Sequence, residues 1–176
     1  MQLDGFDLGD VIDYSSLMFI KVLSNHTDGL SDEQREEAKL HIPLGYVCVI
    51  DPKFGDRAQY KMPAGHSKPG ETPLDTVIRE VQGETGIPVP KERVTYVAKQ
   101  LGYRKDHWRV LFVGYIFEHE LRYMHDRDVE NEGEKPKYFT VDEFYECVRN
   151  DKFMRAHFSM LMEYNLVLPF GRAEVA

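Results

Sequence analysis

Residues 65–87 combine a proline-glycine loop, an amphipathic helix with an acidic edge, and a glycine stop. Pro69 and Gly70 precede the turn, and Thr72 and Pro73 are placed to start a helix. Proline is tolerated there because the first helical N–H has no intrahelical partner. The spacing predicts a helix from Pro73 to about Thr85, stopped by Gly86 with Pro88 beyond it. Leu74, Val77, Ile78 and Val81 recur at helical spacing and form one apolar face. At about 100° per residue, Glu80 and Glu84 lie roughly 40° apart beside that face. Two carboxylates so placed repel by ~0.2–0.5 kcal/mol in an isolated helix, and a hard divalent cation between them reverses the sign. On this spacing alone, a solvated acidic face is the plainer reading.

The segments around this helix are mostly strands. Residues 44–50 are β-branched and aromatic, 51–56 form a turn, and 58–62 form a second strand, a hairpin delivering the chain to Pro63, Ala64 and Gly65. Residues 93–101 and 108–117 are two long strands joined by 102–107. An acidic stretch follows from Glu118 to Glu134, then a helix from Val141 to Val148 capped by Thr140, and a last helix over 152–166. Residues 17–23 fit a buried strand or part of a helix, which periodicity does not arbitrate at this length. Ser31 and Gln34 look like a capping box opening a short helix to about Leu40. Strands interleaved with a few helices, without regular alternation, indicate an α+β fold with a mixed sheet and flanking helices.

At 176 residues the chain suits one domain. A net charge of −8 argues against a broad phosphate-backbone surface, so nucleic acid is not the expected partner. It leaves room for a small phosphorylated ligand, because local charge and bound metal govern a small pocket. Cys48 and Cys147 lie in apolar segments without metal-ligand spacing and read as buried reduced thiols. No apolar run reaches the length of a membrane span, and residues 1–7 lack the basic start and apolar run of a secretory signal. The expectation is a cytoplasmic protein.

Gly65, Glu71, Arg79, Glu80, Glu84 and Gly86, with Val81 and Ile87 in apolar slots, resemble the Nudix box, G-x5-E-x7-R-E-(apolar)-x-E-E-x-G-(apolar). Gly83 stands where that family has a glutamate, and Ala64 departs from its usual Pro-Gly-Gly lead-in. The resemblance implies a Nudix-like α/β/α sandwich over residues 41–176, with 1–40 as an N-terminal extension that flanks the core, lids the site or pairs with a second subunit as a homodimer. It implies a metal-dependent hydrolase cleaving the diphosphate linkage of a nucleoside diphosphate derivative, with Mg²⁺ or Mn²⁺ as cofactor. The physical demand is that cations neutralise the diphosphate and carboxylates hold the cations. Carried over by position, Glu80 and Glu84 are metal ligands, Glu80 is a proton acceptor, and Glu71 and Arg79 brace loop against helix. A backbone carbonyl near Ala64 completes the metal shell. A replacement for the missing carboxylate is sought among Glu118, Glu120, Asp128, Glu130, Glu132 and Glu134, although most residues of such a run are solvated.

For substrate, His66 and Lys68 in the box loop and Arg104, with Lys105 and His107, are candidates for phosphate contact; exposed loop residues are the alternative. Tyr46, Tyr60, Tyr103 and Trp108 have the chemistry to stack a base, but aromatic strand residues are more often core. Gly83 supports a second functional class, a non-hydrolytic Nudix-fold domain that binds a nucleotide-like ligand.

Overall fold

The computed structural model describes residues 2–3, 6–7, 13–27, 29–31, 33–34, 43–102, 107–126 and 133–167. Two short strands, β1 (Gln2–Leu3) and β2 (Phe6–Asp7), pair with each other. The main sheet has seven strands: β3 (Asp13–Leu23), β4 (Gly45–Ile50), β5 (Tyr60–Lys61), β6 (Ala64–His66), β7 (Val94–Leu101), β8 (His107–Phe117) and β9 (Lys135–Thr140). Among the described residues, three helices flank it, α1 (Pro73–Thr85), α2 (Val141–Arg149) and α3 (Arg155–Glu163).

Strand β3 is central. It runs parallel to β8 over its whole length, from Asp13 opposite His107 to Leu23 opposite Phe117. On its other edge it meets β4 antiparallel, but only at Ile20–Val22. Beyond that point β3 and β4 part, and the chain from Tyr60 to His66 enters the fork. There β5 pairs with β4 (Val49 opposite Lys61), while β6 pairs with β3 (Leu17 opposite Ala64). The Met18 N–H donates to the Pro63 carbonyl between them at 3.1 Å. The outer edge of β4 is covered by β9. The residue 40 boundary expected from the sequence therefore falls between two hydrogen-bonded strands of one sheet, and residues 13–23 do not stand apart from it.

Both faces of the sheet are buried, giving the α/β/α sandwich. Met18, Ile20, Val110 and Phe112 pack against Val77 and Val81 of α1. Leu17, Phe19, Tyr46, Cys48 and Leu111 face the opposite way, toward Phe144 of α2 and Met160 and Leu161 of α3. A strand covered on both sides needs apolar residues at odd and even positions alike, which is why residues 17–23 show no alternation. Cys48 and Cys147 are buried free thiols in this second layer. The last helix is shorter than expected because Phe153 bridges to Tyr60 and the Lys152 carbonyl accepts from the Tyr60 N–H, holding that segment extended. Ser31 and Gln34 make the reciprocal capping bonds, at 3.2 and 2.8 Å; the remainder of the helix expected to Leu40 lies outside the described residues.

Candidate active site

Helix α1 begins and ends where its sequence dictates. The Thr72 hydroxyl accepts from the Asp75 N–H at 3.1 Å, Asp75 returns a bond to the Thr72 N–H, and Pro73 takes the first position. Gly86 adopts φ 79°, the left-handed cap that favours glycine, and its N–H reaches the Gln82 carbonyl at 2.9 Å. The imidazole of His125, which no sequence pattern singled out, adds a bond to the Gly83 carbonyl at 3.0 Å.

Ahead of the helix, Arg79 ties the loop down. Its Nε and Nη2 donate to the two Glu71 carboxylate oxygens at 2.6 and 2.9 Å, and Nη2 also reaches the His66 carbonyl at 2.9 Å. Glu71 accepts further from the Lys68 N–H and the Thr76 hydroxyl, and Tyr14 donates to its carbonyl. The Arg79 guanidinium bond holds the Glu71 carboxyl down at about 2. Arg79 Nη1 meanwhile donates to Glu80 Oε1 at 2.6 Å, fixing that carboxylate's orientation. Gly65 is required at its position for a steric reason, since a Cβ there would land on the Glu80 carboxyl group.

Glu80, Gly83 and Glu84 line one cleft of about 630 Å³ with Lys61, Ala64 and Glu134. Glu84 and Glu134 are each only 3% exposed, an uncommon state for carboxylates unless cations accompany them. The cation described is Lys61, whose Nζ lies 2.6 Å from Glu134 Oε1 and 3.5 Å from Glu84 Oε1. The Ala64 N–H donates to Glu84 Oε2 at 3.0 Å, whereas Glu134 Oε2 is buried without a hydrogen-bond partner. Burial, reinforced by the Glu134 carboxylate, pushes the Glu84 carboxyl well above its usual range, with Lys61 pulling it partway back. Burial also disfavours the Lys61 ammonium, but its two carboxylate partners more than offset this and raise it.

The structure thus brings Glu71, Arg79, Glu80, Glu84 and Ala64 together, and from the acidic stretch it places Glu134 in the same cleft. Glu118 is exposed, Glu120 pairs with Arg93 at 2.6 Å, and Asp128, Glu130 and Glu132 lie outside the described residues. Lys61 escaped sequence reasoning altogether. His66 and Lys68 line the same cleft; Tyr103, Arg104 and Lys105 lie outside the described residues. His107 faces elsewhere, with Nε2 3.0 Å from the Ser15 hydroxyl and Nδ1 2.9 Å from Asp13 Oδ2. With His66, these side chains bring a ligand atom each from Asp13, His66 and His107 within 4.8 Å of one another. An ion there would have to break one of the two bonds that already engage both His107 nitrogens. Tyr46 stacks on Phe19 at 4.6 Å, and Tyr60 meets Phe139 edge-on at 4.8 Å, so both belong to the core layer. No described helix is long and apolar enough to cross a membrane.

Comparison with known proteins gives one family. A model of the NUDIX domain matches residues 46–161. Among solved structures, a NUDIX hydrolase from Nitrosomonas europaea superposes with a TM-score of 0.55 at 17% identity, covering 93% of this chain and 97% of that one. An ADP compounds hydrolase gives 0.57 at 12% identity, covering 86% and 70%. A MutT/nudix family protein from Enterococcus faecalis gives 0.51 at 16% identity, covering 77% of this chain but only 46% of that longer one. At these identities the likeness concerns the fold. No curated protein matches the sequence.

Proposed function

The chain belongs to the Nudix family, and from that premise we propose that it hydrolyses the diphosphate linkage of a nucleoside diphosphate derivative with a divalent cation, Mg²⁺ or Mn²⁺. The observation that carries this reading is the buried pair Glu84 and Glu134, sharing one ammonium, with one carboxylate oxygen left unpartnered. Burying a carboxylate costs several kcal/mol unless it is paired or coordinates a metal, and one lysine balances only one of the two. The donor set fits a hard cation. Glu80, Glu84 and Glu134 line one cleft and offer carboxylate oxygens, and Mg²⁺ is commonly held by one or two carboxylates together with substrate phosphate. The helix carboxylate missing at Gly83 is replaced in part from another element by Glu134, with the Ala64 carbonyl as a further donor.

Held by Glu80, Glu84 and Glu134, a divalent cation would offset the charge of the diphosphate and lower the pKa of water. The protein's own residues do the rest. Glu71 and Arg79 lock the loop to the helix, so that Glu80 is held rather than free to swing. Glu80 accepts the proton of the attacking water as its oxygen bonds to phosphorus and the bridging P–O bond breaks, leaving two phosphate-bearing products. His66 and Lys68 at the cleft wall meet the phosphate oxygens.

A panel of nucleoside diphosphate derivatives, nucleoside triphosphates and dinucleoside polyphosphates, assayed for product with and without Mg²⁺ or Mn²⁺, tests the reading. Metal-dependent turnover of a member supports it. A second reading, a domain that binds such a ligand without cleaving it, is favoured by Gly83 and by the salt bridges that Lys61 makes to both carboxylates. Ligand binding without turnover of any panel member would select it.

A further inference from the structure

Two features meet in this cleft. A helix carboxylate is absent at Gly83, and a positive charge is present at Lys61. They are complementary in charge. Arg79 is balanced by its bidentate partner Glu71. Ionised around a cation, Glu80, Glu84 and Glu134 carry three negative charges; Lys61 is the half-buried cation that returns one, with Lys68 exposed at the rim, leaving a deficit that one divalent ion fills. With a carboxylate at position 83 and a neutral residue at 61, the deficit would call for two such ions.

We propose that the Lys61 ammonium is a built-in cation of the cleft, supplying to the diphosphate the charge that a second divalent ion would otherwise supply, so that the site takes one divalent ion per chain. This rests on the reading of the cleft as a diphosphate-hydrolysing metal site.

The fold holds Lys61 firmly in place. It sits on β5 in the fork between β3 and β4, where its backbone pairs with Val49. On the next residue, the Met62 N–H is bonded to His157 Nδ1 at 3.1 Å. The Lys61 side chain is 19% exposed and lines the cleft. An ammonium has three donors. Glu134 and Glu84 engage two of them, leaving one for a phosphate oxygen. Unlike a bound ion, this charge does not leave with product, and it keeps one of the two buried carboxylates compensated between turnovers.

The test counts ions. Mn²⁺ is titrated against the full-length wild type, Lys61→Met and Lys61→Arg in the presence of a methylene-bridged, non-hydrolysable nucleoside diphosphate. Free Mn²⁺ is read by electron paramagnetic resonance and heat by calorimetry. The expected results are one ion per chain in the wild type and in Lys61→Arg, and a second ion in Lys61→Met. Without any divalent ion, analogue binding should weaken roughly tenfold or more in Lys61→Met and stay close to wild type in Lys61→Arg. Two or more ions in the wild type, or one ion with unchanged analogue affinity in Lys61→Met, would overturn the role of Lys61 while leaving the hydrolase reading intact. A wild type that binds no divalent ion would overturn the hydrolase reading itself. Should Lys61→Met fail to fold, the wild-type stoichiometry and the retained behaviour of Lys61→Arg still decide the proposal.

Discussion

His157 links the stability of the fold to acid in a way that one substitution isolates. Its imidazole is buried in the layer between the sheet and α3, and Nδ1 accepts the Met62 N–H at 3.1 Å immediately before the box loop. Burial, with Lys61 and Arg109 adding repulsion, pushes its pKa down to about 3. The unfolded chain takes up this proton near pH 6.5, whereas the folded chain refuses it until about pH 3. Stability from the neutral ring is therefore complete above pH 6.5 and is lost as pH falls through that window. The loss is about 1.4 kcal/mol per pH unit, or roughly 2–3 kcal/mol between pH 6.5 and 4.5. Asn at this position keeps an acceptor near Nδ1 but does not titrate. His157→Asn should begin less stable at pH 7, since it leaves a small cavity; the readout is the slope. Urea denaturation at pH 7.0, 5.5 and 4.5 should show the wild type losing roughly 2–3 kcal/mol more than the variant, equivalent to about 5–10 °C in Tm for a chain of this size. Parallel pH profiles for the two proteins would refute the assignment of a buried neutral imidazole.

Three further substitutions address the cleft. Glu84→Gln removes a buried carboxyl group that pairs with Lys61 and should lower metal-dependent turnover by roughly 10²–10³-fold, measured as initial rate at saturating Mg²⁺; an unchanged rate would refute its role as a ligand. Gly65→Ala directs a methyl at the Glu80 carboxyl and should cost about 10–100-fold in kcat with the circular dichroism spectrum retained, and wild-type activity would show that Glu80 is not held as described. Gly83→Glu returns a carboxylate to a cleft-lining position and should tighten Mn²⁺ binding roughly tenfold by calorimetry. No change would mean that Glu134 already fills that need.

Sequence reading reached the local parts of the structure and missed what long-range pairing creates. Helix α1 was legible to the residue because its signals are local: Thr72 and Pro73 at one end, Gly86 at the other. The Thr140 cap was legible for the same reason. The Glu71–Arg79 brace followed from the box resemblance, and the structure adds the Arg79 bond that orients Glu80. The place of β3 was not legible, because burial on both faces erases alternation and its long parallel partner β8 is remote in sequence. Lys61 was invisible because it stands on a two-residue strand whose neighbours are set by the fork between β3 and β4. Glu134 was one of six acidic candidates. It is distinguished only because the register of β9 on β4, with Lys135 opposite Ile50, brings residue 134 beside Lys61.

Metal-dependent cleavage of a diphosphate by the carboxylate cleft is the proposal on which the other predictions depend. Its most direct test is the rate of product formation from the panel of diphosphate compounds, with Mg²⁺ or Mn²⁺ present and then removed by chelation, for the wild type beside Glu84→Gln. Turnover that requires the cation and collapses in the variant is the predicted result. Tight binding of a panel member with no cleavage under either condition would contradict it and make the domain a binder of its ligand.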